Sequence, residues 1–161
     1  MKRCHWLLIA AIAATALTAL AALGLAVSAR EMIHEGLTYS QWYEGAIAGF
    51  YNVLQALIGC SGAAIILWML WRYSKRPRVD TREIALVKAG ICGALALIAC
   101  GLVLWAVVSR RALNEAAASG VESLAPYIKT FGLSRSAAQA ALEATLIAGI
   151  ARLMRKPFKT C

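Results

Sequence analysis

The stretch AGICGALALIACGLVLWAVVS, residues 89–109, decides how this chain is read: twenty-one consecutive residues carry no charge. As an α-helix it would be about 32 Å long, enough to cross a hydrocarbon layer of about 30 Å. A helix apolar on every side has no water-facing surface, so it belongs in lipid or deep inside a large protein. The chain has 161 residues, 61% of them apolar, against the roughly 45–50% usual in soluble domains. A soluble fold of that size cannot hide so much apolar surface. Extended back to Ile84, with Lys88 as its one interruption, the run predicts a transmembrane helix over 84–109. Asp80 and Glu83 stand where acids favour a helix start.

Working outward, a second apolar run covers 45–71 and a third covers 6–28. The second must stop before Pro77, which cannot continue a helix. Val27-Ser28-Ala29 resembles a signal-peptide cleavage site. The apolar core of a signal spans about 7–15 residues, however, and the run before it is longer, so an uncleaved helix is expected. The polar stretch 29–44 reads as a loop, with Thr38 and Gln41 at capping-box spacing for the helix that follows. Residues 110–136 hold Gly120, Pro126 and Gly132 and read as a loop with a short surface helix, carrying Leu113, Val121 and Leu124 toward the membrane. A last helix is expected over 136–154, opened by Ser136 and Gln139. It is alanine-rich and only marginally apolar. Leu142, Leu146, Ile150 and Met154 repeat every four residues, as on an amphipathic helix. The expected fold is therefore all-α: a single multi-pass transmembrane helical bundle over 1–161, with four spans favoured over three.

The charge pattern supplies the argument for four. The net charge is +9. On a soluble protein this would suggest nucleic acid. Here Lys and Arg fall between apolar runs, with no basic stripe interleaved with aromatics, so no nucleic-acid partner is expected. Positive charge stays on the cytoplasmic side of a membrane. Four spans with both ends inside put eleven Lys and Arg inside and five outside. Three spans give seven inside and nine outside. The expectation is a bacterial inner-membrane protein with a cytoplasmic N-terminus. Arg72, Lys75, Arg76 and Arg78 would meet anionic lipid headgroups. Trp6, Trp68, Trp71 and Tyr73 would mark the inner boundary, and Trp42, Tyr43, Tyr51 and Trp105 the outer.

Little in the sequence points to chemistry. Cys4, Cys60, Cys92, Cys100 and Cys161 form no CxxC or Cys/His pattern, and three lie within apolar runs, so neither a disulfide framework nor zinc is expected. Glu31, His34 and Glu35 lie in the first outer stretch. A di-iron site would need a second such motif on a facing helix, and the chain's other histidine, His5, lies at the opposite membrane face. No catalytic triad, phosphate loop or HExxH occurs, so no enzyme and no cofactor are expected.

What remains is packing and a few intramembrane polar groups. In lipid, small residues let helices approach closely. Ala85, Ala89, Cys92, Ala96, Ala99 and Val103 form one such face on the third helix. Gly59, Gly62 and Ala63 form another on the second, with Asn52 and Gln55. Ala11, Thr15, Thr18 and Ala22 form a third on the first helix. These faces are expected to meet in a tight bundle. Asn52, Gln55 and Glu143 are the candidate intramembrane polar site, because Glu143 is the one carboxylate in a candidate span and such acids mark ion or proton paths. The leading functional expectation is a structural or accessory subunit of a membrane complex, acting by helix–helix packing. The alternatives are a small homo-oligomeric transporter or channel using Glu143 and the Asn52/Gln55 face, and a membrane-permeabilising lysis protein.

Overall fold

The computed structural model describes residues 2–38, 42–75 and 82–154. Four helices account for nearly all of them: α1 (Lys2–Leu37), α2 (Tyr43–Lys75), α3 (Arg82–Ala118) and α4 (Ala125–Leu153). The protein is all-α, and α1, α2 and α3 are long and apolar enough to cross a membrane. The proposed caps Gln41 and Asp80, together with Arg76, Pro77, Arg78 and Cys161, lie outside the described residues.

The polar stretches are helical where the sequence suggested loops. The stretch 29–44 was expected to be a loop, yet α1 runs on to Leu37. With 36 residues it is about 54 Å long, so it extends well past a hydrocarbon layer of about 30 Å. A helix leaving the membrane keeps its own backbone hydrogen bonds, and charged residues on it then meet water. Glu31, His34 and Glu35 sit on this projecting end and not on a loop. Likewise α3 passes Arg110 and Arg111 and ends at Ala118, carried by the strong helix formers Ala112, Ala116, Ala117 and Ala118.

The surface helix expected around 110–136 is absent: only residues 119–124 separate α3 from α4. Gly120 turns the chain with φ +69°, a left-handed conformation that glycine adopts readily. Pro126 lies in the first turn of α4, where its missing N–H costs nothing, so it begins the helix and does not break one. Ser136 is therefore mid-helix. Its hydroxyl donates to the Gly132 carbonyl at 2.8 Å and caps nothing.

The helices lie side by side in the order α1, α2, α4, α3. Among the described residues, α1 touches α2 alone and α3 touches α4 alone. Val53 packs on Gly24 of α1, while Gln55 and Gly62 meet α4. Two positions apart is about 200° around a helix, so α1 and α4 occupy opposite sides of α2. The tight bundle expected from the small-residue faces is thus opened into a row. The face Ala85, Ala89, Ala96 and Ala99 does pack, but on α4 and not on α1 or α2. Val87, Ile91, Ile98 and Trp105, on the far side of α3, are exposed.

The α1–α2 pair is antiparallel. Gly36 meets Tyr43 at one end, and Trp68 Nε1 donates to Thr15 Oγ1 at 3.0 Å toward the other. The Thr15 and Thr18 hydroxyls donate to the carbonyls four residues back, which satisfies them within an apolar helix. Helices α2 and α4 run parallel. Tyr43 meets Lys129, Tyr51 meets Gly132, Gln55 meets Gln139, and Gly62 meets Glu143.

This register places α4 alongside α2 for most of its length. Leu142 and Leu146 are exposed, while Gln139 and Glu143 face α2. Arg135, seven residues before Leu142, is exposed on the same side of α4.

Candidate functional site

Three glycines lie where α2 and α4 approach each other closely. A Cβ on Gly132 would collide with the Tyr51 ring, including its root atom Cγ. A Cβ on Gly62 would collide with the Glu143 carboxylate. At Gly59 a Cβ would stand 3.4 Å from Gln139 Nε2 and 3.7 Å from Glu143 Oε1. Gly59 and Gly62, read from the sequence as a packing face, thus form a bed for two polar side chains of α4.

Those side chains make a short hydrogen-bonded chain. Gln139 Nε2 donates one hydrogen to the backbone carbonyl of Gln55 at 3.0 Å and the other to Glu143 Oε1 at 3.1 Å. Gln139 and Glu143 are four residues apart, the spacing at which helical side chains meet. The Gln55 side chain is 8% exposed, and its Nε2 has no hydrogen-bond partner. No cation pairs with Glu143 among the described residues.

Two of the three expected site residues are therefore brought together, and the third is not. Gln55 and Glu143 line one interface. Asn52 is exposed on α2 and makes no side-chain hydrogen bond among the described residues. One turn of spacing suggested a shared face, yet of the two only Gln55 is covered by α4. Gln139 was the missed member. Its i, i+4 relation to Glu143 was visible in the sequence, but its bond to a main-chain carbonyl 84 residues away was not.

A second polar contact lies at the start of α4. The N-cap of α4, Leu124, offers no side-chain cap. Glu44 of α2 supplies one: its Oε1 accepts from the Leu124 amide and, at 3.1 Å, from the Ala125 amide. An acid there satisfies orphan amides and opposes the positive end of the helix dipole. Beside it, Lys129 Nζ donates to Tyr43 Oη at 2.7 Å and stands 5.1 Å from that ring's centroid. Ser134 and Ser136 of α4 are both buried, and each donates to its own helix backbone. Such small self-satisfied residues let α4 approach its neighbours closely.

The chemical capacity of the arrangement is modest. The polar groups engage one another across a helix contact. Among the described residues, no three His, Cys, Asp or Glu side chains are grouped to hold a metal ion. No protein-family model matches the chain, and neither a curated protein nor a solved structure matches it.

Proposed function

We propose that this chain is a small accessory subunit of a membrane complex, crossing the bilayer four times with both ends cytoplasmic and acting through its helix faces. The open row of helices carries this reading. Because α1 and α3 do not close on each other, the fold leaves two broad apolar sides and two free edges. Helix association in lipid depends on close packing, which such faces offer. The parallel course of α4 beside α2 and its outward leucines support the fourth span.

The test is purification of the tagged protein in mild detergent, with mass analysis of what accompanies it. A stoichiometric second protein supports the proposal. A homo-oligomer with no partner overturns it. The topology has its own test: in a Cys4→Ser background, an impermeant maleimide added outside cells should leave Cys161 unlabelled.

A second reading, proton-coupled transport by a homo-oligomer, is favoured by one observation. Glu143 would lie within the fourth span, pairs with no cation among the described residues, and shares the α2–α4 interface with the unpartnered Gln55 amide. Reconstituted proton flux that persists unchanged in Glu143→Gln would remove it.

A further inference from the structure

A cavity of about 620 Å³ opens between α3 and α4. Its size is that of an ordinary small-molecule site. Val107, Phe131 and Leu142 give it apolar walls, and Arg110 and Arg135 line it from two different helices. Both arginines are exposed, and neither pairs with a carboxylate among the described residues. Arg110 directly follows the uncharged run 89–109, so it stands where the hydrocarbon ends and headgroups begin. The two guanidiniums therefore mark the headgroup level of a cleft whose walls continue into the apolar layer.

We propose that this cleft binds one anionic phospholipid, its phosphate held between Arg110 and Arg135 and an acyl chain lying along Val107 and Leu142. Charge complementarity selects the occupant. Guanidinium forks match phosphate oxygens in bidentate geometry, and two unpaired arginines favour an anionic headgroup over a zwitterionic one. The apolar walls require a tail, which a free phosphate lacks. Gln139 also lines the cleft, so the lipid would lie beside the residue that joins α4 to α2. This site is distinct from the basic link after α2. It stands independently of any partner protein.

The test is native mass spectrometry of the full chain in non-ionic detergent, titrated with phosphatidylglycerol, phosphatidylcholine or inorganic phosphate. One bound phosphatidylglycerol is expected, with roughly tenfold preference over phosphatidylcholine, the worth of one charge-assisted contact. Arg110→Gln/Arg135→Gln should abolish that preference, while Arg30→Gln on α1 should keep it. Leu142→Trp fills the cleft without changing charge and should weaken phosphatidylglycerol binding. Equal binding of the two lipids by the wild type overturns the proposal. So does full preference in the double-arginine variant, or unchanged binding in Leu142→Trp. Saturation by inorganic phosphate that blocks the lipid would show an anion site without a lipid site, and would also overturn it.

Discussion

Gly132 and Gly149 lie on the same helix, yet alanine at the two should act in opposite directions. In a helix interior, glycine is about 1 kcal/mol less favourable than alanine, so both substitutions begin with a gain of that order. At Gly149 nothing stands within 4 Å of the added methyl, and the gain should survive as about 0.5–1 kcal/mol of added stability. At Gly132 the methyl meets Tyr51 Cγ and both Cδ atoms. Because χ1 sets the place of Cγ, clearing the methyl takes a change of Tyr51 rotamer or a separation of α2 from α4. Overpacking of this kind costs about 1–3 kcal/mol, and the lost approach also stretches the Gln139 bond to Gln55, worth about 1 kcal/mol. The net should be a loss of about 1–3 kcal/mol for Gly132→Ala. The two variants should therefore differ by roughly 2–4 kcal/mol. Denaturation in mixed micelles with increasing dodecyl sulfate, followed by tryptophan fluorescence, reads this directly. Adding Tyr51→Ala should recover part of the Gly132→Ala loss, because residues in contact are energetically coupled. If both glycine variants shift stability in the same direction, the proposed α2–α4 contact is wrong.

Three further predictions rest on single contacts. Gln55→Leu should be neutral or stabilising by about 1 kcal/mol, because the side chain carries an unpartnered buried donor while Gln139 uses the backbone carbonyl, which the variant keeps. A marked loss of stability in the same assay would show that the Gln55 amide has a partner. Glu44→Ala should weaken the start of α4 by about 1 kcal/mol, with Glu44→Gln losing less because its carbonyl can still accept. Faster amide exchange at Leu124 and Ala125 would report this, and unchanged exchange in Glu44→Ala would contradict it. Thr15→Val should loosen α1 from α2 by about 0.6 kcal/mol, an average for interhelical hydrogen bonds in membranes. Cysteine cross-linking between α1 and α2 should then become less efficient, and equal efficiency would mean that the Trp68–Thr15 bond carries little.

Local composition determined the helices and their preference for lipid. Runs such as 89–109 have no water-facing side, and that property needs no knowledge of neighbours. The small-residue face of α3 was legible for the same reason: Ala85, Ala89, Ala96 and Ala99 repeat on one side of a helix whatever packs there. Helix ends were less legible. Polarity at 29–37 and 110–118 suggested loops, but polarity reports contact with water, and a helix that projects beyond the bilayer is both polar and helical.

Tertiary structure alone decided which faces meet. Many small-residue stripes fit one another equally well, because van der Waals packing between alanines and glycines carries little identity. The choice fell to contacts between residues far apart in the chain: Tyr51 seated on Gly132, the Glu143 carboxylate on Gly62, and Glu44 capping a helix that begins 81 positions later. Those contacts put α4 between α2 and α3 and opened the bundle into a row. They also left Asn52 exposed and Gln55 buried, a difference that one turn of spacing on α2 does not predict, because only the position of α4 determines which of the two is covered.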